Sequence, residues 1–174
     1  LVLLQLEIPL PTVEAAARLA KTAGATVILD PAPARPLSDN LLSCIDYLTP
    51  NETELAILTE AAPGDLGRAQ AARLANQLRR RGAKKVIVKM GAQGALLLGE
   101  DQEHFWPALP VSAVDTTAAG DAFNAAFAVA LAAGDSELPA GQFATAAAAC
   151  SVTRPGAQPS MPTRSEVSAA ERTC

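Results

Sequence analysis

The chain has 174 residues, of which 49% are hydrophobic and 18% charged. That balance supports a packed core and excludes a disordered chain. A formal net charge of −4 gives no basic field for a phosphate backbone. No apolar run reaches the roughly 18 residues of a membrane span, so neither nucleic acid nor membrane is an expected partner.

Arg79-Arg80-Arg81, the longest basic run, reads as the end of a helix stopped by Gly82, where cations suit the helix C-terminus. Cys44, Cys150 and Cys174 show no C-x-x-C spacing, and His104 is the single histidine. A structural metal or a His-based triad is therefore not expected. Cys150 sits in an alanine run, reads as a small core hydrophobe and suits a reducing, cytosolic setting.

In chain order, L-V-L-L-Q-L predicts a buried strand over 2–6 that starts without a Met, as though a preceding part were removed. Pro11-Thr12 and the run to Gly24 predict a capped helix, T-V-I-L-D a second strand, and P-A-P-A-R-P-L a loop at its end. Ser38 opens a short helix, residues 45–49 form a strand, and N-E-T-E-L-A-I-L-T carries helical spacing. A clear amphipathic helix covers 67–81, and a strand covers 86–89. A-L-L-L-G and H-F-W-P-A form a hairpin around Glu100-Asp101, and three helices follow at about 121–133, 139–152 and 163–172. This alternation predicts one α/β domain with a parallel sheet covered on both faces. Ligands in such sheets sit beyond the C-terminal strand ends, where the loops 30–37, 49–54, 89–94 and 115–121 are expected to emerge.

The stretch D-T-T-A-A-G-D carries the chemistry. Ala118, Ala119 and Gly120 keep side chains away from the backbone amides at a helix start, which makes an anion site. Asp121 at the same helix start would repel an anion, unless it removes a proton from a substrate hydroxyl. An ordinary first-turn or capping Asp is the alternative. P-N-E-T-E at 50–54 offers an amide and carboxylates for phosphate oxygens or the water shell of a divalent cation, or else simply caps a helix. K-M-G-A-Q-G at 89–94 suits a backbone turn against a nucleotide, or an ordinary hairpin turn. Neither G-x-x-x-x-G-K-[ST] nor G-x-G-x-x-G occurs, which removes the P-loop and dinucleotide readings.

Taken together, L-Q-L-E-I-P, D-P-A-P-A-R, L-T-P-N-E-T-E, the G-A-Q-G turn, V-D-T-T-A-A-G-D-A-F-N and V-T-R-P-G-A-Q-P-S resemble the ribokinase/PfkB family of carbohydrate kinases, in the family's order. The resemblance covers nearly the whole chain and corresponds to the C-terminal part of such a kinase. It implies a three-layer α/β/α sandwich with a mostly parallel central sheet, lacking the family's N-terminal strands and β-lid. It implies ATP-dependent phosphorylation of a sugar, with D-P-A-P-A-R and R-P-G-A-Q-P-S narrowing the choice toward D-ribose and its 5-hydroxyl. Fructose and adenosine kinases, and a non-catalytic nucleotide- or cation-binding remnant, are the alternatives.

By position, the resemblance makes Asp121 the base and Ala118, Ala119 and Gly120 the anion hole. Glu7 would meet ribose hydroxyls. Asn51 would contact ATP phosphates and Glu54 would act through the water shell of Mg²⁺, while Lys89, Met90, Gly91, Ala92, Gln93 and Gly94, with Gly120 and Thr145, would bind the nucleotide. Asp115, Thr117, Ser151, Arg154, Gly156 and Ser160 would hold K⁺, several through backbone carbonyls. The resemblance further implies a cytoplasmic homodimer for the full-length parent. Two departures stand out. Thr145 replaces a frequent His or Asn near adenine, and Lys89 replaces a frequent Thr.

Overall fold

The computed structural model describes residues 1–62, 64 and 66–172. Two compact units form: Leu1–Met90 with Leu96–Phe105, and Gly91–Ala95 with the chain from Trp106 onward.

The first unit is built on strands β1 (Val2–Leu4), β2 (Val27–Leu29), β3 (Tyr47–Leu48) and β4 (Lys85–Lys89), which lie side by side in that order. They pair parallel, with Val2 opposite Val27, Ile28 opposite Tyr47 and Leu48 opposite Val86. Strands β5 (Gly94–Leu98) and β6 (Glu103–Pro107) complete the order, and the hairpin expected around Glu100-Asp101 is present. The three-residue 3₁₀ turn Gly91–Gln93 between β4 and β5 is too short for a parallel crossover, so the chain reverses there.

Val27, Ile28 and Leu29 are wholly buried, as a continuous apolar strand inside a covered sheet must be. The first strand departs from expectation. Leu1 and Leu3 are 45% and 40% exposed, because β1 ends the strand order and has β2 as its one neighbour among the described residues. Only Leu6 of the opening apolar run is fully buried.

Helix α1 (Leu10–Thr22) buries Val13, Ala17 and Ala20 on one face. It starts earlier than Pro11-Thr12 suggested, with Pro9 preceding it and no side-chain cap. Pro11 fits inside its first turn because no amide partner is needed there. The short α2 (Asp39–Leu42) is capped by Ser38, whose hydroxyl accepts the Leu41 N–H. Helix α3 (Glu52–Leu58) follows β3, and α4 (Arg68–Arg80) buries Ala71, Leu74, Ala75 and Leu78. The basic run is structural. Arg81 donates to the Leu37 carbonyl (2.7 Å) and Asp39 (2.9 Å), and Arg79 donates to Asn76 (2.9 Å).

The second unit packs α5 (Ala119–Ala132) against α6 (Glu137–Ser151), and α6 against α7 (Arg164–Glu171). Alanines on α6 let the helices approach closely, and Phe123 stacks on Phe127 with ring centroids 6.2 Å apart. Trp106 donates its indole N–H to the Leu138 carbonyl (3.1 Å) and meets Phe127 edge-on. Cys44 and Cys150 are free thiols, and burial pushes that of Cys150 up; Cys174 lies outside the described residues.

Candidate functional site

In the first unit, the C-terminal ends of β2, β3 and β4 bring together Asp30, Asn51 and Lys89. Asp30 follows β2 directly and donates its N–H to the Leu4 carbonyl (2.9 Å). Asn51 and Lys89 form a parallel bridge, and the Lys89 N–H donates to the Pro50 carbonyl (2.8 Å). The Lys89 ammonium does not point out toward solvent. It lies 3.0 Å from Asp30 Oδ2, with the two side chains 13% and 4% exposed.

Asn51 is the N-cap of α3. Its Oδ1 accepts the Glu54 N–H (2.8 Å), while Glu54 accepts the Asn51 N–H (2.7 Å) and the Asn51 side-chain N–H (2.9 Å). The helix-capping alternative for P-N-E-T-E is therefore realised in full. Burial pushes the Glu54 carboxyl up, against the pull of the Asn51 N–H and the Lys89 ammonium and with Asp30 adding to the rise. Glu54 thus sits within the field of the Asp30–Lys89 pair.

Both Glu54 oxygens are committed to Asn51, and among the described residues no three His, Cys, Asp or Glu side chains converge on a metal position. Each carboxylate oxygen keeps a further lone pair, so Glu54 fits an Mg²⁺ ion held through its water shell. Glu7 is exposed just past Leu6. The backbone of Leu6 is pinned to the proline-rich loop, with its N–H on the Ala32 carbonyl (3.0 Å) and its carbonyl accepting the Arg35 guanidinium. A cavity of about 550 Å³ lies at the other end of β4, lined by Arg79, Lys84, Lys85 and the Glu100–Gln102 turn. It contains none of the expected site residues.

In the second unit, Ala118 adopts the left-handed conformation (φ 60°, ψ 14°) and acts as the N-cap of α5. A non-glycine residue held there stores about 1–3 kcal/mol of strain, a cost met mostly at functional turns. The first helical bond runs from the Ala122 N–H to the Ala118 carbonyl (2.9 Å), while the Ala119 N–H is taken by the Thr116 carbonyl (3.2 Å). Of the three expected anion-hole residues, Ala119 is therefore the one whose amide is spent inside the turn. Asp121 stands exposed in the first helical turn and is not the cap.

Asp115 ties two loops together. Its Oδ1 accepts the Thr117 N–H (2.9 Å) and its Oδ2 the Gly156 N–H (2.8 Å). The Thr117 hydroxyl first, then the Gly156 and Thr117 amides, hold its carboxyl at about 2. The Val152 carbonyl accepts the N–H groups of both Val114 (2.7 Å) and Asp115 (3.2 Å). Ser151 and Ser160 are fully buried, and their hydroxyls donate to the Ala148 and Ala157 carbonyls (2.8 Å each). Arg154 pairs with Glu166, which the Thr163 N–H first and then Arg154 hold at about 2. Carbonyl and hydroxyl oxygens beside a carboxylate that hydrogen bonds hold low are the donors a hard cation takes, so the chemistry around Asp115, Ser151 and Ser160 fits K⁺.

The G-A-Q-G turn depends on Gly94. Its φ is +120°, and a Cβ there would lie 2.0 Å from the Trp106 carbonyl oxygen. Thr145 is buried, and its hydroxyl donates to the Gly141 carbonyl one helical turn back (2.8 Å). Sequence reasoning missed Asp30, Val152 and Glu166. Asp30 alone left a signal, an acid at a strand end just before proline.

The profile of the pfkB family carbohydrate kinases matches residues 2–164. The chain belongs to that family. It is 46% identical over 164 residues to a ribokinase of Haemophilus influenzae, an alignment covering 94% of this chain and 53% of that protein. It is 44% identical over 164 residues to a deoxyribokinase of Salmonella typhi, covering 93% of this chain and 53% of that protein. The solved structure of Arabidopsis thaliana ribokinase complexed with ribose and ATP superposes with a TM-score of 0.92 at 40% identity, over 98% of this chain and 55% of that one. The chain thus spans about half the length of the relatives it matches.

Proposed function

We propose that the chain works in ATP-dependent phosphorylation of D-ribose, moving the γ-phosphoryl group of ATP to the 5-hydroxyl to give ADP and D-ribose 5-phosphate. The observation that carries this reading is the strained Ala118 cap, which presents the Gly120 amide and Asp121 together at the start of α5. Asp121 takes the proton of the attacking hydroxyl, and the Ala118–Gly120 backbone receives charge developing on the transferred group. The Gly91–Gln93 turn and Thr145 belong to the nucleotide side. Asp115, Thr117, Ser151, Arg154, Gly156 and Ser160 hold K⁺, whose charge steadies the amides facing the phosphoryl group.

In the first unit Asn51 meets ATP phosphates, Glu54 acts on Mg²⁺ through water, and Glu7 meets sugar hydroxyls. The ribokinase relatives, and the ribose and ATP named in the Arabidopsis structure, support this assignment. The near-equal identity to a deoxyribokinase favours 2-deoxyribose as the second reading.

Coupled detection of ADP, with ribose and 2-deoxyribose compared at fixed ATP, Mg²⁺ and K⁺, separates the two. Asp121→Ala is expected to lower kcat roughly 10²- to 10⁴-fold with little change in Tm. An unchanged rate removes Asp121 from the role of base. A cytoplasmic homodimer is proposed for the whole protein, and light scattering tests its size.

A further inference from the structure

Lys89 ends β4 and Asp30 follows β2, 59 residues apart in sequence and at the ends of strands that are not neighbours. β3 runs between β2 and β4, and adjacent strands are about 4.8 Å apart. The gap from β2 to β4 is therefore roughly 10 Å, which a long lysine chain reaching toward an aspartate can close. The ion pair spans the end of β3, where Pro50-Asn51 leaves the sheet for α3. Neither charge would stay this buried alone, since an unpaired buried ion costs far more than a paired one. The backbone of Lys89 is also fastened to this point, by its bridge to Asn51 and its bond to the Pro50 carbonyl.

We infer that Lys89 is a positioning residue and not a phosphate ligand: its ammonium, committed to Asp30, straps β2 to β4 across the end of β3 and fixes the Asn51–Glu54 edge that meets the nucleotide. The inference rests on the nucleotide reading above and deepens it. It assigns to Asp30, marked in the sequence only as an acid at a strand end before proline, the part of holding that ammonium.

The two roles for Lys89 predict opposite signs for one isosteric change. If the ammonium binds phosphate, Asp30→Asn frees it and removes a repelling carboxylate, so ATP binds more tightly. If the pair is a strap, Asp30→Asn slackens it and ATP binds more weakly. Calorimetric titration with Mg-ATP, alongside Tm, is run on the full 174-residue chain, D30N, K89Q and the D30N/K89Q double variant. The strap predicts roughly ten-fold weaker ATP binding in each single variant, and a loss in the double variant no larger than in the worse single one, because the two changes break one interaction.

Tighter or unchanged binding in D30N overturns the inference, as does K89Q binding ATP like the parent chain while only its Tm falls. Should K89Q fail to fold, D30N decides alone, because an amide of the same shape preserves the packing at that position while removing the charge that holds the ammonium. Failure of the parent chain to bind ATP overturns the nucleotide reading itself, a result distinct from any difference among the variants.

Discussion

Asp115 Oδ2 accepts the Gly156 N–H at 2.8 Å, across 41 residues of sequence. The same carboxylate accepts the Thr117 amide, so one side chain sets the start of the α5 turn and the loop after α6 together. Asp115→Ala is expected to release both. Hydrogen exchange at the Gly156 amide should accelerate at least about ten-fold as the local opening free energy falls. Activation by K⁺ in the kinase assay should be lost with it. Exchange at Gly156 that matches the parent chain would show that the carboxylate does not hold this loop.

Glu54 acts first as half of a cap. Each of its oxygens accepts a different N–H of Asn51, so a glutamine there sets an amide donor against a donor. Glu54→Gln is expected to cost about 1–2 kcal/mol and to weaken Mg-ATP binding as Asn51 loses its fixed orientation. Thermal denaturation and nucleotide titration read the two effects separately. Loss of binding without loss of stability would mean that Glu54 works on the nucleotide site alone.

What the sequence disclosed followed how local each feature is. The cap at Asn51 and Glu54 is written in four consecutive residues, and the hairpin around Glu100-Asp101 in about a dozen, so both were legible. The Asp30–Lys89 strap depends on β3 lying between β2 and β4, which no spacing in the chain encodes. The exposure of Leu3 depends likewise on β1 ending the order. Ala118 hid for another reason. A left-handed residue is usually signalled by Gly or Asn, and alanine gives no such mark. The motif around it announced an anion site but not the strained turn that builds one.

Gly94 carries two constraints at once, a φ of +120° and the Trp106 carbonyl where a Cβ would sit. Gly94→Ala must distort the start of β5 or push Trp106 away, and backbone cannot yield as a flexible side chain can. The expected cost is about 3 kcal/mol, a fall in Tm of roughly 6–12 °C for a chain of this size. A shift under about 2 °C would mean that the turn relaxes without strain.

Asp46 is a stability residue away from the strand ends that carry the site. Its Oδ1 accepts the Lys21 ammonium (2.9 Å), its Oδ2 accepts the Val27 N–H (3.0 Å), and Lys84 stands 3.7 Å away. Burial pushes its carboxyl up, but the Lys21 bond, the Val27 amide and the two ammonium charges together bring it below the ordinary 3.8. A carboxyl lowered by folding adds stability that is fully present above the unfolded value. That contribution is lost as the pH falls through the folded value. Lys21 is 44% exposed, so solvent screens the pair, and Asp46→Asn should cost only about 1 kcal/mol at neutral pH. The Tm gap between parent and variant, roughly 2–4 °C at pH 7, should hold down to about pH 5 and then narrow toward zero in stronger acid. A gap that stays constant into strong acid would mean that shape, not the charge of Asp46, is what the fold requires.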